Sequence, residues 1–174
     1  MKNDFEKKFE VFNSFAQQTN NFCWTLDKPE STMSLGSTLT KKFPDLSILL
    51  LNGPLGSGKT TLVKGIAKSL RIQEPITSPT FPLSQHYPLG SPPLIHLDLY
   101  RIEETNAAIE FFFQEEEESK AIGALMVVEW PERLSLPMND AWRGNLEYSS
   151  KNQARVFQLI PPFDNDKNLS RSFR

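Results

Sequence analysis

The chain has 174 residues, a formal net charge of −2, and hydrophobic and charged fractions of 39% and 23%, an ordinary balance for one soluble domain large enough to bury a core. That charge excludes a broadly basic surface for gripping a nucleic-acid backbone, so a role near RNA is expected to run through a partner protein. Cys23 stands alone, which excludes an internal disulfide; no stretch approaches membrane-span length and the N-terminus lacks the apolar core of a secretory signal, so a cytoplasmic protein is expected.

In chain order, Phe5, Phe9, Phe12 and Phe15 recur at helical steps and predict an amphipathic helix over residues 4–17. With the polar linker ending at Asn21, it forms an N-terminal extension, residues 1–21. A short strand is expected over residues 22–26. Asp27 is placed to cap a helix with Pro29 in its first turn, and Thr32, Leu35, Gly36, Leu39 and Phe43 mark one face of it. The apolar run from Ser47 to Asn52 has the length of a buried strand.

Residues 53–61 then read GPLGSGKTT and fit the phosphate-binding pattern G-x-x-x-x-G-K-[ST], with Gly53, Gly58, Lys59 and Thr60 in the required places. Glycines let the backbone curl so that successive N–H groups point at phosphate oxygens. Lys59 adds positive charge toward the β- and γ-phosphates, and the Thr60 hydroxyl is a hard oxygen suited to Mg²⁺. Leu62, Val63, Ile66, Ala67 and Leu70 continue at helical spacing, so strand, glycine loop and helix follow in the confirming order. The helix brings its positive N-terminal end to the same anion.

Further on, Pro79 disfavours helix at Ser78, so residues 77–81 are expected to be extended or turning. Strands are expected over 83–87, over 94–100 and over 124–130, with a helix over 107–118 between the last two. In the strand over 94–100, Ile95, Leu97 and Leu99 alternate with His96, Asp98 and Tyr100. The chain closes with a hairpin, residues 145–148 and 155–160, followed by a polar tail over 163–174. Alternating strands and helices predict an α/β fold of three layers, with a mainly parallel sheet and antiparallel C-terminal strands, over residues 22–162.

Ligands of such sheets bind beyond the carboxyl ends of the strands, which brings the glycine loop, Asp98 and Glu129 together. Glu129 closes an apolar strand, the position from which a carboxylate reaches Mg²⁺ directly or through water. Asp98, one strand earlier, is placed to orient an attacking water or to help hold the metal. His96 is read as packing rather than as the base. Arg101, Arg133 and Arg155 can each reach phosphate, with surface pairing as the default for any one of them. The four acids Glu115 to Glu118 read as a solvated helix face.

The sequence T-x-x-L-G (Thr32, Leu35, Gly36), GPLGSGKTT, SPTF (Ser78 to Phe81), HLDLYR (His96 to Arg101) and EWPER (Glu129 to Arg133), in that order, closely resembles the bacterial TsaE/YjeE family over most of the chain. The resemblance implies a P-loop NTPase fold and an ATPase required for N6-threonylcarbamoyladenosine at position 37 of tRNA. It also implies ATP and Mg²⁺ as ligands and TsaB and TsaD as partners, with tRNA met only through that complex. Lys59, together with Gly53, Gly56, Ser57, Gly58, Thr60 and Thr61, would bind the nucleotide. Thr60 and Glu129 would hold Mg²⁺, Asp98 would belong to the hydrolytic centre, and Thr32 and Arg155 would lie near the nucleotide. SPTF looks like a segment that senses the γ-phosphate. The helix over 107–118 departs from the family's pattern, and no role transfers to the N-terminal extension. A small-molecule kinase is the alternative, since its phosphate loop can look the same; no Arg-rich lid is evident. A nucleotide-binding scaffold without hydrolysis is opposed by the presence of Asp98 and Glu129.

Overall fold

The computed structural model describes residues 22–149 and 154–162. The expected N-terminal helix over 4–17 and the tail over 163–174 lie outside the described residues. The elements are β1 (Phe22–Leu26), α1 (Pro29–Lys42), β2 (Ile48–Asn52), α2 (Lys59–Ser69), β3 (Ser84–Tyr87), β4 (Leu94–Asp98), α3 (Thr105–Ile122), β5 (Leu125–Glu129), a 3-10 turn (Pro131–Leu134), β6 (Trp142–Tyr148) and β7 (Arg155–Ile160).

Seven strands form one sheet in the order β1-β7-β6-β2-β5-β4-β3. The inner four, β6-β2-β5-β4, are mutually parallel, while β7 and β3 pair antiparallel at the two sides. Period-two alternation then builds two cores. Leu49, Leu51, Leu125 and Val127 pack with α1 and α2, whose buried faces include Leu35, Leu39, Leu62 and Ile66. Ile48, Leu50, Ile95, Leu97, Met126 and Val128 face the other way, against Ala108 and Phe112 of α3. The result is the expected three-layer α/β arrangement.

Three local expectations are corrected. Asp27 is not the N-cap of α1. Lys28 is, with an extended backbone, and Asp27 accepts a hydrogen bond from the Ser31 hydroxyl instead. Leu83 lies outside β3 because its φ is +66°, and its N–H turns back to the Pro79 carbonyl at 2.7 Å. The acidic run also divides. Glu115 and Glu116 fall on the buried face of α3 with Ala108, Phe112 and Ser119, whereas Glu117 and Glu118 are exposed. Burial demands partners: Glu115 meets His86 Nε2 at 2.6 Å, and Glu116 meets Lys120 at 2.7 Å.

Helices α1 and α2 touch backbone to backbone. A Cβ on Gly65 would strike the Met33 carbonyl, and one on Gly36 would strike the Leu62 carbonyl. The Ser37 hydroxyl donates to the Gly65 carbonyl at 2.7 Å across the same contact. This crossing fixes α2, and therefore the loop at its N-terminus. In an open helix, Gly→Ala would stabilise by about 1 kcal/mol through propensity. Here Gly65→Ala is expected to lower unfolding stability by about 1–3 kcal/mol, because overpacking outweighs propensity. Chemical denaturation with an unchanged m-value is the check; a stabilised variant would contradict the close crossing.

Candidate functional site

The loop between β2 and α2 follows directly from its glycines. Gly53 has φ +145° and its missing Cβ makes room for the Leu146 carbonyl; Gly58, at φ +108°, is the N-cap of α2. Both conformations are strained for residues with side chains. The N–H groups of the first turn of α2, which have no intrahelical acceptor, follow directly on this loop, an arrangement suited to an anion.

Lys59 is 4% exposed. Its ammonium donates to the carbonyls of Gly53 at 2.7 Å and Pro54 at 3.2 Å, and lies 4.0 Å from the centroid of the Trp130 ring. Burial pushes its pKa below the usual lysine value, and the charges of Glu129, Glu132 and Asp98 pull partly the other way. The cation is held by carbonyl dipoles and an aromatic face, with carboxylates nearby.

Opposite the loop, the ends of β4 and β5 carry the two acids. Asp98 and Glu129 are cross-strand neighbours, both nearly fully buried. The Thr60 hydroxyl donates to Glu129 Oε1 at 2.8 Å, and His96 Nε2 meets the same oxygen at 2.9 Å. Since Thr60 spends its proton on the carboxylate, its oxygen lone pairs remain for a hard cation. A hydroxyl beside a carboxylate suits Mg²⁺. Among the described residues no group of three or more His, Cys, Asp or Glu could form a metal cage.

Asp98 is tied to the segment before β3. Its Oδ2 accepts from the Ser78 hydroxyl at 2.6 Å and from the Thr80 hydroxyl at 2.7 Å, and its Oδ1 accepts from the Tyr100 N–H at 3.0 Å. Phe81, exposed beside this pair, lies under the Arg101 guanidinium at 4.2 Å.

A pocket of about 320 Å³ brings together Gly56, Gly58, Lys59, Thr60, Thr61, Asp98 and Glu129, along with Ser78 and Thr80. A larger cavity, about 430 Å³, lies at the opposite end of the sheet, where β2 and β5 begin. It has no glycine loop and no paired carboxylates, so the smaller pocket is the candidate site. Of the other expected residues, Gly53 and Ser57 belong to the loop but do not line the pocket, and Ser57 is fully buried. Thr32 and Arg155 flank Gly58, each 3.8 Å from where its Cβ would sit. Arg133 donates to the Tyr100 carbonyl at 3.0 Å. His96, read from sequence as packing, is in contact with Glu129. Trp130, quoted only within EWPER, and Tyr148 were given no site role from the sequence: Trp130 covers Lys59, and the Tyr148 hydroxyl donates to the Leu55 carbonyl at 3.2 Å across the loop.

A family model described as "Threonylcarbamoyl adenosine biosynthesis protein TsaE" matches residues 26–157. The tRNA threonylcarbamoyladenosine biosynthesis protein TsaE of Nostoc sp. is 44% identical over 108 residues, 60% of this chain and 65% of that protein. The protein of the same name from Mycobacterium tuberculosis is 40% identical over 116 residues, 64% of this chain and 69% of that protein. The chain therefore spans about two thirds of the length of these relatives. Among solved structures, YdiB of Bacillus subtilis matches with a TM-score of 0.62 at 25% identity, over 87% of this chain and 93% of that one.

The environment of Lys59 yields a pH prediction. A lysine whose folded pKa lies below its unfolded value destabilises the fold when charged. That penalty is fully present below the folded pKa and disappears as pH rises past the unfolded one. Lys59→Met is accordingly expected to gain stability relative to the unsubstituted chain at neutral pH, and the gain is expected to shrink as pH approaches about 10. Denaturation midpoints across that range test it; a pH-independent difference would show that Lys59 burial carries no such cost.

Proposed function

This chain belongs to the TsaE family, and we propose that it hydrolyses ATP as the nucleotide-driven subunit of a machine that forms N6-threonylcarbamoyladenosine in tRNA. It would act in the cytoplasm with TsaB and TsaD and meet tRNA only through them. The observation that carries this reading is the Thr60–Glu129 hydrogen bond across the mouth of the glycine loop. It joins the two oxygen donors that hydrolysis of a nucleoside triphosphate requires beside its phosphates.

In this mechanism the N–H groups of the loop and the Lys59 ammonium bind the phosphates. For Lys59 this exchanges the Gly53 and Pro54 carbonyls for charged oxygens, and charge-assisted hydrogen bonds are the stronger kind. Thr60 and Glu129 would hold Mg²⁺, which when bound neutralises charge on the β- and γ-phosphates. Asp98 orients the attacking water once the Ser78 and Thr80 hydroxyls turn from it toward phosphate. Phosphoryl transfer depends chiefly on positioning and electrostatics, so a site with no dedicated Arg finger is slow until a partner completes it. The formal charge of −2 supports indirect contact with tRNA.

Turnover is best tested as ATP consumption with and without TsaB and TsaD, scoring free phosphate against any phosphorylated small molecule. The latter product would favour a kinase. Lys59→Ala is expected to weaken ATP binding by about tenfold or more, as a charge-assisted contact is lost. Glu129→Ala and Asp98→Asn are expected to keep most of the affinity, yet to lose about 10²–10³-fold in hydrolysis, the scale of removing a group that acts on developing charge. Full phosphate release by both carboxylate variants would move the catalytic centre elsewhere.

A further inference from the structure

We propose that His96 is a positioning residue for the Glu129 carboxylate. Its Nε2–H and the Thr60 hydroxyl together fill Oε1, so that Oε2 is the oxygen left for the cation or its water. The inference rests on the nucleotide-hydrolysing reading above and adds to it a residue that touches neither phosphate nor water.

The geometry begins with the β4–β5 register. His96 pairs with Val127 and Asp98 with Glu129, so the imidazole lies one pleat behind the two acids and on their face of the sheet. From there it reaches Glu129 Oε1 at 2.9 Å, with no exposure to solvent. A carboxylate oxygen offers only lone pairs to this contact, so Nε2 is the ring nitrogen that carries a proton toward it.

The other ring nitrogen shows what the residue is for. Nδ1 is buried and has no hydrogen-bond partner among the described residues. Buried polar atoms are normally paired, and each exception needs a reason. A residue serving only to fill space would sit there as an aliphatic, as Leu94 does two positions earlier in the same row. Instead the position carries an imidazole whose Nε2–H is directed at Glu129. With Thr60 donating to the same atom at 2.8 Å, both lone-pair directions of Oε1 are taken. Partners of this kind orient a ligand without binding the metal themselves.

Two measurements test the proposal. The chain has two histidines, so long-range ¹H–¹⁵N spectra of the histidine-labelled protein contain only two imidazoles. The His96 proton is expected on Nε2, and Mg²⁺ added to the ADP-bound protein is expected to shift the His96 signal more than that of His86. A proton on Nδ1 with none on Nε2, or a His96 signal blind to Mg²⁺, overturns the proposal. Titration calorimetry with ADP at varied Mg²⁺ is the second measurement. His96→Leu is expected to raise the Mg²⁺ needed for half-maximal effect by about tenfold or more, the usual loss for such partners, with Mg²⁺-free ADP affinity little changed. His96→Gln, which restores an N–H near the Nε2 position, is expected to recover most of that loss. Unchanged Mg²⁺ dependence in the leucine variant, or a glutamine variant no better than leucine, overturns the proposal. If the leucine variant does not fold, the spectra of the unaltered chain decide. If the unaltered chain binds no nucleotide, the hydrolase reading falls, and the tautomer alone then decides whether His96 donates to Glu129.

Discussion

The pairing of Asp98 with Glu129 at the last rung of the β4–β5 ladder is the constraint on which the site depends. Both acids are nearly fully buried at the mouth of the loop, on the face of the sheet that carries α2. Because side chains alternate with period two, a slip of one residue in β4 would turn Asp98 toward α3 and drive Ile95 and Leu97 onto the wrong core. Register is therefore enforced by the apolar residues. The large hydrophobic term that holds Leu97 and Val128 against Phe112 also places two carboxylates where the chain alone would not gather them. The candidate site is placed by packing that has nothing polar in it.

Opposite that pair stands a cation with similar constraints. Lys59 is buried, and its partners are two carbonyls and an indole face rather than a carboxylate in direct contact. A salt bridge to Glu129 would satisfy both charges but would leave the lysine with less to gain from a phosphate. Instead Glu129 is engaged by the Thr60 hydroxyl and the His96 ring, and Lys59 by neutral acceptors. Each charge keeps a strong interaction in reserve for a ligand, at a moderate desolvation cost. The backbone contact between α1 and α2 holds the first turn of α2 still enough for this arrangement to persist.

Much of this is legible in the sequence because it is local or periodic. The glycine loop is a contiguous pattern, and a strand that ends in an acid declares which end of the sheet the acid occupies. What could not be read depends on contacts remote along the chain. His96 and Glu129 are 33 residues apart, and nothing in the spacing of either points to the other, although the shared face of His96 and Asp98 placed the imidazole on the correct side. Trp130 is hidden for a different reason: it adopts φ +61° immediately after β5, so its ring turns back over Lys59 instead of continuing the strand alternation. The burial of Glu115 and Glu116 was available from helical spacing, since they follow Ala108 and Phe112 around the same face of α3. A run of four like charges drew attention to solvation and away from phase.

Asp98 shows why a buried acid can serve both a resting fold and a reaction. With two hydroxyls on Oδ2 and a backbone N–H on Oδ1, it has the satisfied shell that burial requires. Only the N–H is fixed, because Tyr100 is continuous with β4. Ser78 and Thr80 belong to a turn with no strand pairing, held besides by the Phe81–Arg101 stack and by the Leu83 carbonyl accepting from Asp98 N–H at 2.9 Å. Exchanging a hydroxyl partner for water costs little net free energy, about 1 kcal/mol or less per bond, whereas leaving the buried carboxylate bare costs considerably more. In the proposed reaction the route open to Asp98 is therefore exchange. Phosphate oxygens draw the hydroxyls away as water takes their place, and the segment from Ser78 to Phe81 must move with them. In that proposed reaction, occupancy of the γ-phosphate position would thereby be converted into a change of the molecular surface at Phe81, which is exposed beside the site.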